Sequence, residues 1–332
     1  MTNKVLDNQG LICGFLLRAQ APAEHALWDA ASQAFCTNKS VWLHFNLVDS
    51  RARNWIAKCD RIPELAREML LSNDSRIGLE TVENGIVGVL GDLHYEFSDD
   101  PDELGLLWVY FDDTCIITGR THPLKVIDRL RRDLMGGECV ETPILLLVDL
   151  LQHLTETFGT VTTFLNDRVD NIEDRILKEW LQGEGGELGR VRRLLVQLRR
   201  HVSAERNALF YISTRMPSWC SETDLLLLQQ AIERLDSVAQ DLGVIQERGR
   251  LLHEEISSQL EGATNRNLYV LSMVTIVFLP LTLITSIFGM NVGGLPLVED
   301  KLGFGWIVLS MAATTIFTLY ILRRRQFFEI VL

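Results

Sequence analysis

The 332-residue sequence lacks several patterns that would assign it to a common class of protein. It has no Gly-x-x-x-x-Gly-Lys loop, so nothing indicates ATP hydrolysis. Its six cysteines include no Cys-x-x-Cys pair, which argues against a zinc finger and a disulfide framework and indicates reduced thiols. No apolar stretch follows Met1, so we expect no cleaved signal. With no nucleophile and base standing out together, an enzyme is the weakest interpretation.

Positive charge is also scarce. The chain has 32 Lys and Arg against 44 Asp and Glu, a net charge of −12. Residues 266–332 hold five Lys or Arg against three Asp or Glu, a balance of +2, so residues 1–265 carry −14. Nucleic-acid binding requires basic patches, and so acidic a segment argues against it. The same charge favours attraction of cations.

Charge is absent from two long runs near the C-terminus. Residues 268–288 and 304–322 contain no Asp, Glu, Lys, Arg or His. At a rise of about 1.5 Å per residue each run reaches roughly 30 Å, the hydrocarbon thickness of a bilayer. We therefore predict two transmembrane helices in contact with the lipid bilayer. Two buried helices of a soluble protein are the disfavoured alternative.

The flanking charges predict the orientation of these helices. Arg266 precedes the first run, and Arg323, Arg324 and Arg325 follow the second. The joining segment contains one cation, Lys301. By the positive-inside rule both termini face the cytoplasm, and the joining loop faces out.

One stripe of the first run is polar. Its members recur at alternating steps of three and four residues, which keeps them on one side of a helix. The stripe consists of Asn265, Leu268, Ser272, Thr275, Leu279, Thr282 and Ser286. Two helices cannot enclose a water path, but a polar stripe repeated around an oligomer axis can line one. The alternative is that the hydroxyls bond their own helix or pack against the second run.

The turn after the first run carries a family resemblance. Gly289, Met290 and Asn291, preceded by the apolar segment with Pro280 in mid-span, resemble the signature of the CorA family of divalent cation transporters. Residues 292–296 resemble the ZntB zinc-transporter branch, because the aromatic and acidic residues of the Mg-type pattern are missing. Met290 itself is closer to the CorA side.

The resemblance implies a homopentamer with a cytoplasmic funnel, in which the first span and its cytoplasmic extension line the pore. It also implies an inner-membrane location, transported Zn²⁺ or another divalent cation, and no permanently bound cofactor. Two alternatives stay open: a magnesium, cobalt or nickel channel of the CorA type, and a membrane-tethered metal sensor without flux. Linkage to the proton gradient, which the ZntB branch suggests, has no obvious titrating group within either span.

Two further sets of residues are candidate ion sites. In a pentamer Asn291 would present a ring of amide oxygens at the outer end, touching the ion through its hydrating water. Glu247, Glu254 and Glu261 continue the polar stripe backward at seven-residue steps. As rings they would attract cations in a vestibule. The alternative is a solvated outer position for these glutamates, because heptad phase drifts along an unsupercoiled helix.

We predict an α+β membrane protein assembled as a pentameric funnel, with an N-terminal α/β domain. The expected segments are an α/β domain at 1–140, a helical pair at 141–220, a stalk helix at 221–267, transmembrane helices at 268–289 and 304–322, an outer loop at 290–303 and a tail at 323–332. Within the first domain we expect one helix over residues 23–34, Thr121 as a helix N-cap and His44 as an interior residue. Asp149, His153 and Glu156 share a helix face, which we interpret as a solvated polar face in preference to a metal site.

Overall fold

The computed structural model describes residues 9–72, 74–94, 104–178, 184–290, 296 and 302–324. The chain divides into two compact units, Met1–Leu252 and His253–Leu332, which we call the N-terminal unit and the C-terminal unit. Each is described by itself.

A seven-stranded sheet forms the centre of the N-terminal unit. Its strands are β1 (Leu11–Leu16), β2 (Glu24–Ala26), β3 (Val41–Asn46), β4 (Gly78–Val82), β5 (Gly85–Leu93), β6 (Leu104–Phe111) and β7 (Cys115–Arg120). Their order is β2-β1-β3-β7-β6-β5-β4, and the β3–β7 pair alone is parallel. Five of these strands are rich in β-branched and aromatic residues, which explains why the sequence predicts them.

Both faces of the sheet are buried. Helices α1 (Trp28–Cys36), α2 (Ser50–Ala57) and α3 (Glu64–Leu71) cover the face that carries Leu43 and Phe45. The Phe45 ring stacks on Trp55 with centroids 5.1 Å apart. On the other face His44 is buried, and its Nδ1 lies 2.8 Å from the Thr118 hydroxyl. Burial lowers the pKa of His44 well below its usual value, which confirms the predicted interior residue.

Four further helices follow the sheet. They are α4 (Lys125–Met135), α5 (Pro143–Leu177), α6 (Glu184–Ser213) and α7 (Glu222–Phe288), and the C-terminal unit adds α8 (Gly303–Arg324). The start of α7 has the predicted reciprocal cap: Asp224 N donates to Ser221 Oγ and Ser221 N donates to Asp224 Oδ2, both over 3.1 Å.

Two predictions within the sheet region need correction. The single helix expected over residues 23–34 is wrong, because Glu24–Ala26 pairs with the edge of β1 and α1 begins only at Trp28. Backbone pairing with a free strand edge outweighs the local helical pattern. Strand β4 was not predicted. It exposes Glu80 and Thr81 side by side, which hides the alternation typical of a strand.

The predicted N-cap of α4 is also wrong. The capping position is Leu124, whose side chain makes no capping bond, and Thr121 lies outside the helix. Asp92 of β5 acts instead, accepting from the amides of Val126 at 3.2 Å and Ile127 at 3.4 Å. This carboxylate comes from 34 residues earlier in the chain, so no local pattern could reveal it. Burial raises the pKa of Asp92 to about 7, against the lowering effect of the amides that bond it.

The polar face of α5 is not a freely solvated one. His153 Nε2 lies 3.2 Å from Asp133 Oδ2, and Glu156 pairs with Arg129 at 2.8 Å. Asp149 is partly buried, which raises its pKa to about 6. The predicted solvated face is therefore a set of pairs with α4, and no metal is needed to explain it.

Candidate cation pathway

Helix α7 carries the predicted site residues. It runs for 67 residues from Glu222 to Phe288, on the order of 100 Å if straight, and continues through Pro280. Its last turn ends at the signature: Gly289 N donates to Thr285 O at 2.9 Å, and Met290 N donates to Ile287 O at 3.3 Å. A Cβ atom on Gly289 would lie 3.0 Å from Thr285 O, a contact that glycine avoids. Asn291 lies outside the described residues.

Burial separates the apolar helices into two kinds. In the described chain α5, α7 and α8 are long and apolar enough to cross a membrane. The apolar window of α5 is 56% buried within the protein, whereas that of α7 is 0% buried and that of α8 is 6% buried. Helix α5 therefore belongs to the core of the N-terminal unit. The apolar parts of α7 and α8 leave their side chains for a bilayer or for other copies of the chain.

The predicted polar stripe of α7 faces away from its own chain. All seven members from Asn265 to Ser286 are exposed. The half-buried side chains of the same segment include Met273, Val277 and Ile284, which start roughly 200° further round the helix. Helix α8 has half-buried side chains at similar steps, Ile307 and Met311 among them. Within one chain, packing against the second span therefore does not explain the stripe.

The other alternative, bonding of hydroxyls to their own helix, does occur. Thr275 Oγ1 donates to Leu271 O and Thr282 Oγ1 donates to Phe278 O, each over 2.9 Å. These bonds occupy the hydroxyl hydrogens and leave oxygen lone pairs on the exposed side. A hydroxyl so oriented is an acceptor, which suits a cation or its hydrating water and does not suit an anion.

The three stalk glutamates share this exposed face. Glu247, Glu254 and Glu261 are exposed, as are Val244 and Leu251 between them. Glu247 pairs with Arg250 at 2.6 Å, and this hydrogen-bonded pair lowers the pKa of Glu247. The prediction of acidic rings overlooked this cation, although its spacing of three residues could be read from the sequence. Of the three glutamates, Glu247 therefore offers the least uncompensated charge.

Metal-binding clusters were sought in the same described ranges. Among the side chains placed there, no group of three or more His, Cys, Asp and Glu is arranged to hold a metal ion. The described stripe offers hydroxyl oxygens, one amide and two leucines. Its chemistry is that of weak oxygen contacts along a path, which differs from a site that retains an ion.

A mixed α/β unit, a long helix that ends in an apolar run and a second apolar helix define a class of membrane protein. A family model described as CorA-like Mg²⁺ transporter protein matches residues 37–324. The chain therefore belongs to the CorA-like transporter family, as the Gly289, Met290 and Asn291 signature predicted.

Similar sequences carry one name. The zinc transport protein ZntB of Photorhabdus laumondii subsp. laumondii is 26% identical over 285 residues, covering 86% of this chain and 87% of the relative. The protein of that name from Yersinia pseudotuberculosis is 27% identical over 298 residues, 90% of each chain.

Solved structures share the fold. Full-length CmaX superposes with a TM-score of 0.80 at 25% identity, covering 96% of this chain and 98% of CmaX. The CorA magnesium transporter of Methanocaldococcus jannaschii gives 0.75 at 18% identity, covering 94% and 97%. The ZntB cytoplasmic domain from Vibrio parahaemolyticus gives 0.64 at 12% identity, covering 76% and 98%. These likenesses extend over both units.

Proposed function

We propose that five copies of this chain form a pore that carries divalent cations, zinc foremost, across the inner membrane. The observation that carries the proposal is the exposed stripe of α7, which faces away from α8 and presents hydroxyl oxygens. A single chain leaves this polar stripe beside apolar surface with nothing to cover it. Five stripes around an axis would give the polar atoms a common water-filled path. Two similar proteins named for zinc transport favour zinc as the ion.

The residues along this path have separate roles. A ring of Asn291 amides recognises the hydrated ion at the outer end, since amide oxygens hold cations more weakly than carboxylates and release them readily. Ser286, Thr282, Thr275 and Ser272 offer oxygens along the span, with rings of Leu279 and Leu268 between them. Asn265 ends the span, and the stalk glutamates raise the cation concentration beyond it. Neither apolar run contains Cys or His, so zinc would pass with much of its water.

Proton coupling is the finer part of the proposal. Neither apolar run contains Asp, Glu or His, so a group that titrates during transport lies outside the bilayer core. Glu299, Asp300 and the stalk glutamates are the candidates. Both chain termini are placed in the cytoplasm by the arginines that flank the spans.

Flux into sealed vesicles separates this function from its alternatives. Purified protein in proteoliposomes is given zinc, cobalt, nickel or magnesium, with and without a pH gradient. Zinc uptake that grows with an inward proton gradient supports the whole proposal. Uptake of magnesium in preference to zinc would favour the CorA-type channel, and binding without uptake would favour the tethered sensor.

A matched pair of variants links flux to the stripe. Thr282→Leu replaces an exposed hydroxyl on the stripe by a larger apolar group, and we expect a strong fall in flux. Ile284→Leu changes shape on the half-buried side and should leave flux nearly unchanged. Equal effects of the two variants would mean that the stripe does not line the path.

A further inference from the structure

A buried carboxyl group stands apart from the proposed pathway, where α6 meets the sheet. Glu205 of α6 is 0% exposed. Neither of its carboxyl oxygens has a hydrogen-bond partner among the described residues. A glutamate so placed is rare, because an ionised carboxylate without partners is very costly to bury.

Glu205 lies against the end of strand β5. Strand β4 pairs with β5 only as far as Val89, which is opposite Gly78. Gly91 is therefore beyond the reach of β4, and α6 approaches it instead. A Cβ atom built on Gly91 would lie 3.6 Å from Glu205 Oε2, 3.1 Å from Ile77 Cδ1 and 3.8 Å from His201 Cδ2. The missing side chain of Gly91 thus makes room for the carboxyl group.

The charges around this contact do not favour ionisation of Glu205. Asp92, next to Gly91, is buried and is the one charged side chain of the described chain that acts on Glu205, raising its pKa beyond the effect of burial. The Gly91 amide lowers the pKa slightly. Arg120 acts on Asp92 and is paired with Asp128 at 3.0 Å. On α6 itself, His201 lies one turn earlier, with Nδ1 3.0 Å from Gln197 O.

The neighbouring helix is held at the adjacent residue. Arg206 pairs with Asp236 of α7 at 2.6 Å, and Arg199 bonds Gln246 of α7 at 2.8 Å. On α5, which also packs on α6, Arg175 pairs with Glu187 at 2.8 Å, near the start of α6. Any change in how α6 sits on β5 therefore reaches the part of α7 that belongs to the N-terminal unit.

We propose that Glu205 is a proton-operated latch: its neutral carboxyl holds α6 on the open end of β5, and loss of the proton releases this contact. The direction follows from the site, since the packed state binds the proton more tightly than an opened state does. The contact is strongest at low pH and weakens as pH rises from the ordinary glutamate pKa of about 4.3 toward the raised value in the packed state. The latch does not depend on the ion that the protein carries.

Hydrogen exchange of the full-length protein in detergent tests the latch. Exchange of β5 and of the α6 segment around Glu205 is measured across a pH series for the wild type and for Glu205→Gln, which has the same shape and no charge. The ratio of the two removes the intrinsic pH dependence of exchange. We expect the wild type to lose protection relative to the variant by up to about tenfold per pH unit, the limit for one proton. Glu205→Met, apolar and of similar length, should lack the pH dependence as well.

Three controls give the test its sharpness. Glu233→Gln removes an exposed carboxylate of α7, and His201→Gln removes the nearest histidine; both should keep the wild-type pH profile. Identical profiles for the wild type and Glu205→Gln would overturn the latch, as would loss of the profile in His201→Gln alone. Recovery of protection at high pH on adding zinc, in the wild type and not in Glu205→Gln, would show that the carboxyl holds a cation, and would equally overturn the proton assignment.

Discussion

The two units treat the same kinds of side chain in opposite ways. In the N-terminal unit Phe45 is 0% exposed and packs between Trp28 and Trp55. In the C-terminal unit Phe278 is 60% exposed on an equally regular element. Hydroxyls differ likewise: Thr118 is buried and bonded by Trp42 and His44, whereas Thr282 bonds only its own helix and faces out. The first unit finds its partners within the chain, and the second leaves them to lipid and other copies.

The largest effect is expected where the pathway begins. Asn291→Ala should abolish zinc flux in proteoliposomes while the oligomer still assembles, because the amide ring recognises the entering ion. Asn267→Ala removes an amide from α7 off the stripe and should conduct normally. Full zinc flux through an assembled Asn291→Ala protein would remove Asn291 from the proposed entrance.

A phenylalanine pair tests the comparison of the two units directly. Phe45→Ala should cost about 3–5 kcal/mol of the free energy of unfolding, since it removes a fully buried ring and leaves a cavity. Phe278→Ala should cost less than about 0.5 kcal/mol in detergent, because the ring lacks partners in its own chain. Denaturant titration of the full chain, followed by tryptophan fluorescence, gives both values. Similar costs would mean that the two surroundings do not differ as described.

The buried cap of α4 predicts a pH dependence of stability. The pKa of Asp92 is raised to about 7 when folded, above the ordinary value of about 3.9. Folding therefore takes up a proton, and stability should fall as pH rises from about 4 to about 7, by up to about 1.4 kcal/mol per pH unit. Asp92→Asn cannot titrate and should lack this fall.

The control for Asp92 is an exposed aspartate. Asp113→Asn, in the turn between β6 and β7, should keep the wild-type pH profile, and the comparison is cleanest in a Glu205→Gln background. If the wild type instead gains stability over Asp92→Asn as pH rises through this window, the α4 amides keep the carboxylate ionised and the prediction is wrong.

The smallest effect is expected at the stalk. Replacing Glu247, Glu254 and Glu261 together by Gln should lower zinc flux at low salt and have little effect at high salt, because the screening length is roughly 8 Å at physiological ionic strength. Glu247 should contribute least, since Arg250 already pairs with it. Unchanged flux at low salt in an assembled triple variant would mean that these glutamates are solvated outer positions.

Sequence patterns predicted the elements that depend on local chemistry. The strands around Leu43 and Val109, the reciprocal cap at Ser221 and the end of α7 before Gly289 each follow from nearby residues. Strand β2, strand β4 and the Asp92 cap depend on contacts between distant segments, which a single-sequence pattern does not reveal. The burial of Glu205 has the same origin, since its surroundings come from β5.

The candidate site was predictable to a different degree. Helical spacing alone identified the polar stripe, and the exposure of its members agrees with a face that needs partners outside the chain. The pairing of Glu247 with Arg250 was readable and was overlooked. Which surface covers the stripe depends on neighbouring copies, so its assignment to a pore stays a prediction.

The most direct test of the stripe is its access to water in the assembled protein. In a background without the six native cysteines, single cysteines replace Thr275 and Thr282 on the stripe, or Ile276 and Leu283, which are also exposed in the single chain but lie off the stripe. A charged, membrane-impermeant thiol reagent is then applied to protein in liposomes. We predict that positions 275 and 282 react, that zinc slows the reaction, and that positions 276 and 283 stay unmodified within lipid. Reaction at 276 and 283 with protection at 275 and 282 would contradict a pore lined by this stripe.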